Sequence, residues 1–307
     1  MTLETDLLLD RRRLKRRLVF WRVAAILAVV VAIVMTVGTA DLPRDHVARL
    51  TVSGIISEQR RTIEAITALA DDKSTKALIL AIDSPGGAVA GGEAMHNAIA
   101  TVAAKKPVVA VMGATAASAG YMIAMPAARI FARESTLTGS IGVLLMTGEI
   151  SGLLRNLGIT DETITSGPLK NQPSMTRPLS EAGKAALHGL VMDMYDQFVA
   201  MVAAGRHMDE ARVRELADGR AYTGRQALKL GLIDAIGGEP EARAWLAAEK
   251  GVPASLPAQE VRSPNLRERV LGDGAEGIFS VLIKSLLSQR VSLDGAWAVW
   301  QPSATAE

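Results

Sequence analysis

The segment 76-KALILAIDSPGG-87 decides the fold. Ala77 to Ile82 is apolar throughout, with no polar residue alternating. A run of that kind buries both faces, as a parallel strand between layers of helix does. Ser84-Pro85-Gly86-Gly87 then ends it with turn residues. Working outward, 107-PVVAVM-112 is a second such strand, closed by Gly113, and Val89 to Ala103 between them has helical spacing. Upstream, His46 to Ile56 alternates as a strand and Glu58 to Ala70 reads as a helix. Downstream, the pattern predicts a short helix over Ser118–Met125 stopped by Pro126, and strands at Ala128–Ala132 and Ile141–Leu145. It predicts a helix over Glu149–Leu157 and a strand at Ile159–Thr165. Ser166 to Pro178, with three prolines, is a loop, and Ser180 caps a long helix to Ala204. Further helices are expected at Asp209–Ala217, Gly224–Leu230 and Pro240–Glu249. After Pro253 the chain is loop-like except for an apolar helical stretch, Phe279–Leu287. Strands alternating with helices imply an α/β fold with parallel pairing.

Composition removes several function classes. The 307 residues are 49% apolar and 21% charged, enough for a full core. Cysteine is absent, which excludes disulfides, a thiol nucleophile and thiolate metal sites. Aromatics are 4%, too few for a base-stacking nucleic-acid platform. No Walker loop, HExxH or G-x-G-x-x-G occurs, and the four histidines sit in no triad context.

Charge is concentrated at one end. Residues 1–22 carry seven basic and three acidic side chains, a net of +4 against +2 for the whole chain. Val23 to Ala40 then contains no charge over 18 residues. As a helix that run spans about 27 Å, close to a hydrocarbon core of about 30 Å. Trp21 and Arg22 suit the interface, and Leu18 to Trp21 extends the span by a turn. The expectation is a basic cytoplasmic tail over 1–17, a single-pass signal-anchor over 18–40, and the body on the far side of the membrane. Gly38-Thr39-Ala40 also fits a cleavage site, with the uncleaved anchor favoured by the length of the run.

Three strand ends carry possible chemistry. Gly86 and Gly87 expose backbone N–H groups that would suit an oxyanion, or form an ordinary βα turn. Ser118 stands among small residues, 113-GATAASAGY-121, as a nucleophile or a plain helix cap. Lys170 is the only lysine between Lys106 and Lys184, in the 166–178 loop. It is either a solvated loop lysine or a general base, for which burial must lower its pKa from about 10.4.

Taken together, Asp83-SPGG, AASAGY around Ser118, TGSIGV at Thr138–Val143, SGPLK ending at Lys170, and DGRAYTGRQALKLGLID at Asp218–Asp234 resemble the signal peptide peptidase family of SppA-type serine proteases. The match runs over roughly residues 47–240 in the family's order. It departs at Asp83, Ala119 and Asn171, none of which removes a catalytic atom. The resemblance implies a ClpP/crotonase-like superhelix of β-β-α units over 41–250 behind the transmembrane helix, with a C-terminal extension over 251–307. It implies Ser118 as nucleophile, Lys170 as general base, Ser140 orienting the lysine, and Gly86 and Gly87 supplying the oxyanion hole. No metal, nucleotide or other cofactor is implied, and no nucleic-acid partner. The implied protein is a plasma-membrane endopeptidase that degrades remnant signal peptides and other hydrophobic peptides. Its assembly would be a homo-oligomeric ring, an octamer, with each dyad shared between protomers. The shared fold leaves a crotonase-type acyl-CoA enzyme as one alternative, and a non-catalytic membrane scaffold as another.

Overall fold

The computed structural model describes residues 16–29 and 44–261. Residues 16–29 form a helix, α1, with nearly all of its side chains exposed. Among the described residues no helix is long and apolar enough to cross a membrane. The expected anchor is described only as far as residue 29. Its remainder, the tail over 1–15 and the expected helix at 279–287 lie outside the described residues.

The body opens with β1 (His46–Ile56), α2 (Arg60–Ala68), β2 (Thr75–Gly87), α3 (Val89–Ala103) and β3 (Val108–Ala117). β1 pairs with β2 and β2 with β3, all parallel. Burial explains the unbroken apolar runs. Leu78, Leu80 and Ile82 of β2 enter the larger core layer, while Ala77 and Ile79 enter a smaller one on the opposite face. Full burial of each large aliphatic side chain is worth about 1.5–3 kcal/mol. A helix, α9 (Glu239–Lys250), covers the smaller layer through Ala242 and Leu246. Arg129 stacks over Phe131 and Trp245 at its margin.

β3 divides the sheet. Val109 to Met112 pair with β4 (Arg129–Ala132), while Thr115 to Ala117 pair with β5 (Leu137–Gly139). β4 continues to β7 (Ala235–Ile236), and β5 to an antiparallel strand, β6 (Ala221–Thr223). The division coincides with a register shift. Ile82 faces Met112, but Ser84 faces Ala116, so β3 carries two extra residues. The Asp83 carboxylate fills the gap by accepting the Thr115 N–H at 3.0 Å. On the outer edge β8 (Ala258–Glu260) pairs with β1, so the described fold runs past the boundary expected at 250. Arg49 of β1 is ion-paired to both Glu239 and Glu260, which ties α9 and β8 to that edge.

The remaining helices are α4 (Ala119–Met122), α5 (Ser151–Asn156), α6 (Glu181–Arg206), α7 (Glu210–Leu216) and α8 (Gly224–Lys229). Ser180 caps α6 as expected, accepting the Gly183 N–H at 3.0 Å. The far end of α6 is latched beneath α4. Arg206, only 9% exposed, reaches Asp234 at 2.6 Å and the Gly231 carbonyl at 2.9 Å. Asp234 also accepts the Ile130 N–H, and the buried Tyr121 hydroxyl donates to the Leu232 carbonyl. Desolvation pushes the Tyr121 hydroxyl's pKa upward, keeping it a neutral donor.

Two expected strands are corrected. Ile141–Leu145 and Ile159–Thr165 are not strands. Ser140, at φ 48°, turns the chain away after β5, so Leu144 and Leu145 leave the sheet and are exposed. Ile164 is likewise fully exposed and has no strand to pair with.

Removing one partner of the Arg206–Asp234 pair strands a largely buried charge. Asp234→Ala is expected to lower unfolding free energy by about 3 kcal/mol in urea titrations, because breaking such a pair costs about 3–5 kcal/mol when it is buried. A loss below about 0.5 kcal/mol, the surface-substitution range, would show that the latch contributes nothing.

Candidate active site

Ser118 occupies the turn from β3 into α4. Its backbone is at φ 53°, ψ −124°, outside the regions open to a side-chain-bearing residue. Such strain costs on the order of 1–3 kcal/mol and persists only where the surroundings enforce it. Here they do. The Ser118 N–H donates to the Gly139 carbonyl at 2.9 Å, and its carbonyl accepts from Tyr121 and Met122 at 2.9 Å each. The side chain makes no capping bond to α4. The plain helix-cap reading therefore fails. A half-buried hydroxyl is held in a strained strand-to-helix turn with no hydrogen-bond partner among the described residues, the presentation that suits a nucleophile.

Gly86 abuts it. A Cβ on Gly86 would lie 2.8 Å from the Ser118 Cβ, and Gly86 is at φ 114°. No other residue type fits both conditions. A Cβ on Gly87 would collide with the Ile56 carbonyl at 2.0 Å. The two glycine N–H groups differ. That of Gly86 is taken by the Ser84 hydroxyl at 3.1 Å. The Ala88 N–H donates to the Ile56 carbonyl on the β1 side, and N–H groups alternate in direction along a parallel ladder. The Gly87 N–H therefore points away from β1, where β2 has no partner beyond the Ser84–Ala116 pair. Of the two expected oxyanion donors, Gly87 is geometrically available and Gly86 is occupied.

A third donor escaped the sequence reading. The Ala119 N–H, next to Ser118, finds no acceptor among the described residues. A main-chain donor leaves no mark in a residue pattern, so only the turn geometry exposes it.

The side chains of the other two expected residues make no hydrogen bond to Ser118. The Ser140 hydroxyl donates to the Gly219 carbonyl at 3.2 Å, and its N–H to the Arg220 carbonyl at 2.9 Å. It lies just past Gly139, whose carbonyl holds Ser118. Lys170 is exposed, and its ammonium makes no hydrogen bond or ion pair among the described residues. Its loop is fastened instead by Asp161, which accepts from Thr176 at 2.9 Å and Arg177 at 3.0 Å. Those donors hold the Asp161 carboxyl below the usual carboxylate range, the Thr176 hydrogen bond being the largest cause. The burial that a lysine base requires is not supplied to Lys170 by this chain's described residues.

Comparison with known proteins decides the family. A family model described as peptidase family S49 matches residues 100–253, covering the serine turn, the lysine loop and α6 to α9. The chain belongs to peptidase family S49. As an S49 chain it is a serine peptidase, and a Clp protease model also matches residues 50–148, in keeping with the α/β, ClpP-like sheet. A Synechocystis protein named as a protease is 38% identical over 75% of this chain and 84% of its own length. An Enterococcus faecium protein named as signal peptide peptidase SppA is 37% identical over 66% of this chain and 63% of its own. The Arabidopsis thaliana chloroplastic serine protease SPPA is 34% identical over 80% of this chain, which spans 37% of it. The S49 chain thus covers most of one relative and about a third of another.

Gly86→Ala is expected to push the Ser118 turn aside and lower kcat at least about a hundredfold, the scale of a 1 Å misplacement. Steady-state kinetics on a hydrophobic peptide, beside a thermal melt, would check it. Wild-type turnover in that variant would contradict a role in turnover for the close approach of Gly86 to Ser118.

Proposed function

We propose that this S49 peptidase is a membrane-anchored endopeptidase that cleaves remnant signal peptides and other hydrophobic peptides through a Ser118–Lys170 dyad. The observation that carries the reading is the uncapped Ser118 hydroxyl in its strained turn. The Ser118 Oγ attacks the scissile carbonyl and gives its proton to the neutral Lys170 amine. Negative charge develops on the carbonyl oxygen, against the Gly87 and Ala119 N–H groups. Lys170 then protonates the departing amine, leaving an acyl-enzyme on Ser118. The same amine deprotonates a water that releases the second product. Every step uses side chains and backbone groups of this chain type alone.

The exposed Lys170 favours a dyad shared between neighbouring copies of the chain. So does the surface around it. Leu144 (77% exposed), Met146 (86%), Ile164 (100%), Leu153, Leu157 and Met175 lie in the same 140–180 region and are too apolar to face water as a group. A closed ring would cover such a surface in every subunit, and an octamer is the size we favour. Burial against a neighbour would supply the desolvation the lysine needs as a base. The +4 charge of residues 1–22 ahead of the uncharged run at 23–40 supports a plasma-membrane anchor with the peptidase domain outside the cytoplasm.

Coexpression of Ser118→Ala chains with Lys170→Ala chains tests the shared dyad. Each variant is inactive alone, and mixed oligomers regain part of the activity, because some interfaces pair an intact serine with an intact lysine. Verified mixed oligomers with no recovery would place both groups in one protomer. Lys170→Arg stays inactive in either arrangement, since a guanidinium does not give up its proton. Substantial peptide hydrolysis by that variant would remove the lysine from the mechanism.

A further inference from the structure

Ser84 is completely buried, on the same face of β2 as Leu78, Leu80 and Ile82. An alanine would fill nearly the same space there, so packing gives no reason for a hydroxyl. Its hydrogen bonds do. The Ser84 Oγ donates to the Gly54 carbonyl at 2.6 Å and accepts the Gly86 N–H at 3.1 Å. Gly54 (φ 70°) and Gly86 (φ 114°) are the left-handed residues at the register shift between β1 and β2. One hydroxyl therefore joins the two irregular turns. The backbone of Ser84 bears on the other side of the site. A Cβ on Gly120, two residues past Ser118, would lie 2.8 Å from the Ser84 carbonyl oxygen. Ser84 thus contacts both the glycine turn and the first turn of α4.

We propose that Ser84 is a positioning residue for the oxyanion. By binding the Gly86 N–H it fixes the Pro85–Gly86 peptide plane. Its Oγ also lies 3.4 Å from the Gly86 carbonyl oxygen, which shares a peptide plane with the Gly87 N–H. Both planes flanking Gly86 are thus held, and with them the direction of the Gly87 N–H. Fixing Gly86 also sets its distance from the Ser118 Cβ. The hydroxyl touches neither substrate nor the reacting atoms. It acts on the transition state through Gly87, because a donor aimed in advance needs no reorganisation as charge develops. This proposal rests on Ser118 being the nucleophile.

The test compares Ser84→Ala and Ser84→Thr with wild type in the full-length protein. The measurements are kcat and KM on a hydrophobic peptide, affinity for a matching peptide aldehyde, and the melting temperature. The aldehyde reports the oxyanion directly, since the Ser118 Oγ adds to its carbonyl to give a hemiacetal whose oxygen occupies that site. Ser84→Ala is expected to lower kcat and aldehyde affinity by the same factor, about tenfold to a hundredfold, with KM little changed. Ser84→Thr keeps the hydroxyl and recovers part of both. If Ser84→Ala does not fold, Ser84→Cys leaves no cavity, weakens both hydrogen bonds and carries the same expectation. Unchanged kcat and aldehyde affinity in the folded variant would overturn the proposal. So would a loss spread equally over KM and melting temperature, which marks a structural role. Failure of the nucleophile reading looks different. Wild type would then form no aldehyde adduct that Ser118→Ala abolishes, whatever residue stands at 84.

Discussion

The approach of two backbones, Gly86 of β2 against Ser118 at the end of β3, is the constraint from which the site follows. It holds only because neither strand is regular there. β3 carries two extra residues opposite Asp83, whose carboxylate takes the Thr115 N–H that the ladder would otherwise satisfy. The shift moves Ala116 beside Ser84 and carries Ser118 over Gly86. The same irregularity frees the second half of β3 to pair with β5, whose Gly139 carbonyl takes the Ser118 N–H. Strain at Ser118 is thus enforced by a hydrogen bond on one side and a close contact on the other. The buried Tyr121 and the Arg206–Asp234 pair hold the helix behind it.

How much of this was legible depends on how each residue signals. β2 and the first half of β3 were readable because burial on both faces demands an unbroken apolar run. The turn SPGG was readable as backbone exposed by glycine. The second half of β3, GATAA, has Thr115 as its single strand-favouring side chain, and it is a strand because β5 and β2 lie beside it. β5, β6, β7 and β8 are two or three residues long, too short for any period to show. The reverse error arose at Ile141–Leu145 and Ile159–Thr165. Ile141 is buried in the core, but Leu144, Leu145, Ile159 and Ile164 are exposed, and hydrophobicity alone does not say which surface a side chain will cover. At the site, Ser118 and Gly87 were legible as residue types among small neighbours. The occupation of the Gly86 N–H and the openness of the Ala119 N–H were not, because main-chain direction is set by tertiary contacts.

The exposure of Lys170 has a chemical consequence. A neutral lysine beside the half-buried Ser118 would require a dry pocket, and the described residues build none around Lys170. Under the proposed dyad, an amine on an exposed loop and a serine in a rigid turn would let assembly switch the peptidase on. Loose chains would then lack a competent base. The loop is nonetheless ordered by its own contacts, with Asp161 and Arg177 closing its base, so a neighbour would meet a preformed shape.

The most direct test of the account is the identity of the nucleophile in the assembled protein. Wild-type protein treated with a hydrophobic peptidyl phosphonate and digested for mass spectrometry should carry a single adduct on the peptide containing Ser118. The adduct should be absent from Ser118→Ala. An adduct on Ser84 or Ser140, or labelling that persists in Ser118→Ala, would contradict it.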